Sequence, residues 1–263
     1  HECDDIGLDT IEFGGMMDTI GDAEKIRDEL LRINLGLWDY VKNYDPKFKE
    51  QNKNRKLSWI TYVPGKRESR RLMGDYIMTQ WEYMDAMIHP DNVAYSGWGI
   101  DLHHPNGFWT NGPMSVHTYR DRKISIPFRS LYSCNIENLM MAGRNISVSH
   151  VALGGVRVMR TTCLMGQAVG TAAGICIEKQ VLPGDVTAHY IHDLQQRLLK
   201  DGCYIMGTKN TDPDDLALRS TVRASSVKTI VDPSYHLSPS GEPMVHQLDT
   251  PRAVMFKPRK KRI

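Results

Sequence analysis

Apolar positions recur at helical spacing in three stretches of the chain. In "DAEKIRDELLRINLGLWDYVKNY", Ile26, Leu30, Ile33, Leu37 and Val41 form one stripe, with Asp22 placed to cap, which predicts an amphipathic helix. In "CLMGQAVGTAAGICIEK", Met165, Ala168, Val169, Ala172, Ala173, Cys176 and Ile177 repeat at three and four residues, predicting a second helix. A third, "TAHYIHDLQQRLLKDG", turns Ile191, Leu194 and Leu198 inward and stops at Gly202, placed as its C′ residue.

Between these stretches the period changes. "LSWITYVPG" (57–65) has the β-branched and aromatic content of a strand that Pro64-Gly65 ends. "LMGDYIMTQWEYMDAM" reads as a short helix or strand–helix junction, and "DNVAYSGWGIDLHHPNG" (91–107) as a strand running into a loop with glycines and histidines. "KISIPFRSLY" predicts a strand turning at Pro127, and "ENLMMAGR" a short strand ending on Gly143-Arg144. Residues 1–21 read as loop with "FGGMMD" as a turn, and 45–56 as a polar connection. Over 206–263, "TVRASSVKTIV" and "RAVMF" alternate with turn residues, as in the first strands of a β module or a wrapping tail; the closing "KPRKKRI" reads as a solvated end.

The second helix carries Gly166, Gly170 and Gly174. Each interior glycine costs about 1 kcal/mol relative to alanine, so three together call for a compensating close approach. One reading is a neighbouring strand or helix packed along the stripe. The other is a cofactor at the helix entrance, where a strand ending in glycine, a loop of small residues and an unobstructed first turn present N–H groups and a positive dipole end. The two are compatible, and the absence of G-x-G-x-x-G denies the segment a dinucleotide fingerprint of its own.

Composition narrows the partners. With 41% hydrophobic and 24% charged residues the chain has the make-up of a globular protein with one large core or two modest ones. The 33 basic residues against 31 acidic ones leave +2, which offers no electrostatic case for nucleic acid or an anionic membrane and favours small molecules. Five scattered cysteines, with no C-x-x-C pair, read as reduced, mostly buried thiols rather than ligands to zinc or an iron–sulfur cluster. A start at His1, without methionine or an apolar signal core, suggests a processed or truncated piece.

Several motifs in order then become recognisable: "IRDELLRI", "PGKRESRR", "GDYI", "GWGIDLHHP", "IPFRSLY" and "NLMMAGRNISVSHVALGGVRVMRTTCLMGQAVGTAAG". Over roughly residues 20–205 the chain resembles a bacterial family of FAD-dependent oxidoreductases with a glutathione-reductase-like FAD domain. The resemblance implies FAD as cofactor and an α/β fold: part of a Rossmann-like FAD-binding domain (125–205) with an inserted α+β cap or substrate domain (1–124), to which the residue pattern adds the β-type C-terminal extension (206–263). It also implies a partner, the N-terminal FAD-domain segment with the Gly-rich turn, which this sequence lacks. Arg160 departs from the pattern, since many relatives have proline there.

Carried over by position, Gly143 and Arg144 fall where the family strand ends beside FAD. Ser147, Gly154, Gly155, Arg157, Val158, Met159 and Thr161 follow it into the helix that faces the flavin. Substrate-side candidates are His103 and His104 of "DLHHP", His150 of "SVSHVALGG", and Arg67, Arg70 and Arg71 of "KRESRR". A flavin accepts hydride while a nearby base removes a proton, so a neutral histidine is the natural partner, and His103 is preferred, with His150 and Arg70 beside it. Each has a structural alternative: backbone hydrogen bonding for the histidines, local ion pairs for the arginines. Trp98 with Asp101 would suit a carbohydrate, or Trp98 fills core. The functional expectation is hydride transfer between a polar organic substrate, with carbohydrate-related molecules as one class, and FAD. The alternative is a non-catalytic cap or polysaccharide-binding module with an incomplete flavin site.

Overall fold

The stripe of Ile26, Ile33 and Val41 is buried along helix α1 (Ala23–Asn43), while Leu30 and Leu37 on its flanks are half-buried. The structure is a computed structural model that describes residues 11–118, 123–224 and 254–258. The chain divides into two compact units, His1–Arg71 with Asp101–Thr118, and Leu72–Ile100 with Tyr119–Ile263.

In the first unit Asp22 sits at the N-cap of α1, but its side chain does not cap; Oδ1 instead accepts from Lys25 Nζ at 2.8 Å. After α1 comes the single turn α2 (Lys49–Asn52). Lys42 Nζ, near the end of α1, donates to the carbonyls of Asn52 and Lys53 and so satisfies acceptors that the short turn leaves open. The strand predicted over 57–65 does not form. Those residues run without regular structure, with Trp59, Tyr62 and Val63 exposed, because β propensity needs a partner strand and none among the described residues pairs with them.

The second unit begins with a capped helix, α3 (Gln80–Asp85), whose N-cap Thr79 and N3 residue Glu82 form a reciprocal capping box. Strand β1 (Asn92–Ser96) follows, as the sequence predicted. Next comes β2 (Ile100–His103), most of which lies in the first unit and pairs there with β3 (Ser115–Thr118). Strand β4 (Ile124–Pro127) turns at Pro127 as expected and pairs antiparallel with β1, from Asn92↔Pro127 to Ser96↔Ile124, across an irregularity between Asn92 and Ala94. The predicted strand at 137–144 is reduced to a bridge between Tyr132 and Met140, after which Gly143, at φ +120, turns the chain.

Helices α4 (His150–Val156) and α5 (Met159–Lys179) follow, and both pack on β1. A single turn, α6 (Pro183–Asp185), and a wide turn over Val186–Tyr190 lead to α7 (Ile191–Lys200), which lies against α5 and β1. Leu194 and Leu198 are buried, Ile191 half-buried. At the end of α7, Gly202 (φ +87) donates to Leu199 and Cys203 to Leu198, which is the paired closure that a C′ glycine permits. In the tail, β5 (Ser220–Ala224) pairs antiparallel with β6 (Val254–Pro258); the rest of "TVRASSVKTIV" and the last residues of "KPRKKRI" lie outside the described residues. The result is a mixed α/β chain whose sheets, among the described residues, are two-stranded ribbons.

The glycine stripe faces the other way from the expectation. α5 buries Thr161, Met165, Ala168, Ala172 and Ile175. At 100° per residue Gly166, Gly170 and Gly174 lie about half a turn round the helix from that row. A Cβ on any of the three would meet nothing within 4 Å, and Ile177, expected inward, is 81% exposed. Among the described residues the stripe is open. Nor are the thiols mostly buried: Cys134 and Cys163 are exposed, and Cys176 and Cys203 are intermediate.

Candidate functional site

Two groups of residues carry chemistry, one in each unit. In the second unit the group is the junction between α4 and α5. The chain enters it through Ser147, whose N–H donates to the Ser130 carbonyl at 2.9 Å and whose carbonyl accepts from Met78 at 3.1 Å. This tight packing depends on Gly74, where a Cβ would come 3.0 Å from Ser147 Cβ and 2.6 Å from the Arg129 carbonyl. Ser147 Oγ is buried and has no hydrogen-bond partner.

Ser149 then caps α4, its hydroxyl accepting from Ala152 N at 3.3 Å. His150 is exposed at the first position of that helix, and Gly154 and Gly155 are buried within it. A Cβ on Gly155 would lie 2.9 Å from Ile124 Cδ1, a side-chain end that would have to shift to admit it. Arg157 closes α4 by donating from its backbone to Leu153, and Val158 is the N-cap of α5. No side chain caps α5 and its first turn holds no acidic residue, while Met159 is 84% exposed there. Gly143 and Arg144 stand at the preceding turn, with Arg144 exposed.

The junction is braced from below by a residue not singled out in the sequence. Ser96, buried at the end of β1, donates from Oγ to the Gly155 carbonyl at 2.6 Å and accepts from Thr161 Oγ1 at 3.2 Å and from Trp98 N at 3.2 Å. Thr161 is thereby turned inward by its hydroxyl. The only hint of Ser96 in the sequence is a small polar residue at an inward position of an apolar strand.

A second network in this unit lies beneath Arg129. Its guanidinium grips both oxygens of the buried Asp91, at 3.0 and 3.1 Å, and stands 5.1 Å from the centre of the Tyr76 ring. Burial, followed by hydrogen bonding to Glu82, pushes the Tyr76 hydroxyl up to about 12. His89 packs edge-on against Tyr76 at 4.9 Å, and burial pushes its imidazole below the ordinary histidine value.

In the first unit the chemistry gathers at His103, the last residue of β2 and 28% exposed at its side chain. Nδ1 lies 2.8 Å from Glu12 Oε2, and Nε2 lies 3.2 Å from Asp101 Oδ2 and 3.3 Å from Arg67 Nη1. Arg67 also pairs with Glu12. The other oxygen of Asp101 is 3.2 Å from His117 Nε2 on β3, so one buried carboxylate stands between two histidines. Of the three arginines in "KRESRR", Arg67 is the one drawn to His103; Arg71 pairs with Glu68, and Arg70 is exposed. His104 points elsewhere, its Nδ1 accepting from Asn106 N at 3.1 Å. Glu12 and His117 had no signal in the sequence, because neither belongs to a motif and Glu12 is 91 residues from His103.

Both groups fall within the stretch recognised by comparison with known proteins. The family model described as FAD dependent oxidoreductase matches residues 5–198. No curated protein and no solved structure matches the chain. The match covers well over half the sequence and includes the α4–α5 junction and the His103 cluster, and the chain therefore belongs to the FAD-dependent oxidoreductase family.

Proposed function

We propose that the chain serves a two-electron oxidation or reduction of a polar organic molecule, with the α4–α5 junction toward the flavin and His103 exchanging the substrate proton. The family is FAD-binding, and the junction suits that cofactor in its donor set. The N–H groups of Met159, Arg160 and Thr161 open the first turn of a 21-residue helix that has no capping side chain and no acidic residue in that turn. Donors fixed in this way stabilise negative charge without reorganising. The orphaned hydroxyl of Ser147 adds an unsatisfied polar atom on the same stretch of chain. Gly143, Arg144, Arg157, Val158 and Met159 are the remaining residues of this proposed cofactor edge, while Gly154, Gly155 and Thr161 hold its shape from inside.

When bound, FAD supplies the hydride acceptor or donor. The protein's own part is proton transfer. In this reading His103 Nδ1, 2.8 Å from Glu12, carries the proton of the neutral ring and donates it to that carboxylate, which leaves Nε2 as the nitrogen able to take a proton from a substrate hydroxyl as its carbon is oxidised. In the neutral ring Nε2 accepts from Arg67; once protonated it donates to Asp101 instead, so a charge partner already stands beside the proton's destination. A carbohydrate-related substrate is the class this reading favours, as the kind of polar molecule that an exposed tryptophan such as Trp98, 39% exposed, would suit. Asp101 is not the hydroxyl acceptor in this reading, since its two oxygens stand toward His103 and His117.

The observation that carries the reading is the half-buried His103 with Nδ1 committed to a carboxylate. A panel of aldoses and polar alcohols, screened for anaerobic bleaching of the protein-bound flavin, provides the test substrate. His103→Gln is expected to keep FAD bound and to slow that bleaching by roughly 100-fold or more. Bleaching at the wild-type rate would remove His103 from the chemistry, and a protein that binds no FAD at all would defeat the flavin reading itself.

A further inference from the structure

We propose that Glu12 is a positioning residue for His103: it fixes the ring in the Nδ1–H tautomer and so decides which nitrogen meets the substrate. This deepens the reading of His103 as the proton acceptor and rests on it. An ionised carboxylate can only accept, and both ring nitrogens face one; Glu12 is the nearer, 2.8 Å from Nδ1, whereas Asp101 is 3.2 Å from Nε2 and shares that nitrogen with the Arg67 guanidinium, a donor at 3.3 Å, so the single proton of the neutral ring is favoured on Nδ1. Left to itself, a histidine side chain in water favours the other tautomer, with the proton on Nε2, where it would block the proposed role.

The placement of Glu12 is built into the backbone. The Glu12 carbonyl accepts from Phe108 N at 2.7 Å, immediately beyond the "DLHHP" loop. Gly107, at φ +51, leaves room for it, because a Cβ there would run into the Glu12 carbonyl. Gly15 does the same three residues on, where a Cβ would lie 2.6 Å from the Pro105 carbonyl. Two glycines and a backbone hydrogen bond thus clamp the segment carrying Glu12 to the loop that follows His103. Arg67 completes the arrangement by pairing with Glu12 and reaching Nε2 from the other side of the ring. Among the described residues, the charged and titratable groups seen to face His103 are Glu12, Arg67 and Asp101, with His117 sharing Asp101.

This arrangement separates two roles that a kinetic effect alone would merge. A residue that merely supports the fold would not govern the tautomer of one ring. A residue that orients the ring through a hydrogen bond would, and an uncharged acceptor at the same place would replace it.

The test uses the full protein labelled with ¹⁵N-histidine, with the His103 ring nitrogens assigned by loss of their signals in His103→Gln. Wild type is expected to show His103 protonated at Nδ1 and bare at Nε2 in its neutral form. Glu12→Ala is expected to move the proton toward Nε2 and to slow flavin bleaching by about tenfold or more with FAD content unchanged. Glu12→Gln, whose amide oxygen can still accept, is expected to restore both. If Glu12→Ala does not fold, Glu12→Asp, which retracts the acceptor by one methylene, is read in the same way. An unchanged tautomer in Glu12→Ala overturns the proposal, and the base reading survives if His103→Gln still bleaches slowly. A shifted tautomer with wild-type bleaching also overturns it, and wild-type bleaching in His103→Gln as well would show that the base reading had failed with it.

Discussion

Ser96 Oγ donates to the carbonyl of Gly155 at 2.6 Å, joining the end of β1 to the interior of α4. Because the same hydroxyl accepts from Thr161, the first turn of α5 is tied to the last turn of α4 through a single buried atom. Ser96→Ala leaves a carbonyl and a hydroxyl without this partner, and each buried polar group so orphaned costs about 1–3 kcal/mol. Urea denaturation is expected to show a loss of at least about 1 kcal/mol, and up to about 6 kcal/mol if both groups stay unpaired, together with weaker FAD retention, since the N–H groups of the α5 entrance lose their anchor. Wild-type values for both would show that the junction holds itself.

The open glycine face of α5 leads to an unusual expectation. Gly170→Ala should stabilise the protein, by about 0.5–1 kcal/mol, because alanine restricts the unfolded chain and meets nothing in the folded one. Gly166→Ala and Gly174→Ala should do likewise. A destabilised Gly170→Ala would mean that another surface covers this face in solution, as the close-packing reading of the sequence required.

His89 makes stability depend on pH in a defined direction. Burial holds its imidazole below the ordinary 6.5; the charges of Asp91 and Glu82 oppose that shift, and Arg129 adds to it. The unfolded chain therefore takes a proton that the folded one refuses, and this part of the stability falls as pH drops below about 6.5, by at most about 1.4 kcal/mol per pH unit. Replacing His89 by Gln removes the titration. The gap between wild-type and His89→Gln urea midpoints should thus differ between pH 7.5 and pH 5.5, wild type losing more on acidification; equal gaps at the two pH values would contradict it.

Glu178 acts at lower pH. Its carboxyl, hydrogen-bonded first by Arg197 and then by Lys179, is held down at about 2 from 4.5, and Arg197 links α5 to α7 through it. A depressed carboxyl contributes stability above its unfolded value and loses it as pH falls from about 4.5 toward 2. The pair is exposed, so salt should weaken it. Arg197→Gln is expected to flatten the acid-denaturation curve over that window relative to wild type. An unaltered curve would show that the pair adds nothing to stability.

Much of the local structure and the family were legible in the sequence, and the reason is that both are written in short-range patterns. The stripe of Ile26, Ile33 and Val41 specifies a helix and its buried side at once, since polar residues occupy the rest of its surface. Gly202 ends α7 because a left-handed position after a helix favours glycine wherever the helix lies. The ordered motifs from "IRDELLRI" to "GTAAG" likewise identify the family without any contact being known.

What the tertiary structure decided were the relationships in which local pattern is silent. In α5 small residues populate every side, so periodicity could show a helix but not which side is buried; packing on β1 and α7 chose Met165, Ala168, Ala172 and Ile175 and left the glycines open. The run at 57–65 has the residues of a strand, but a strand is a property of two segments, and the second is missing among those described. His103 could be nominated from its loop, whereas Glu12, His117 and Ser96 could not: each matters through a single hydrogen bond or ion pair to a residue distant in sequence, and only folding brings those atoms within reach.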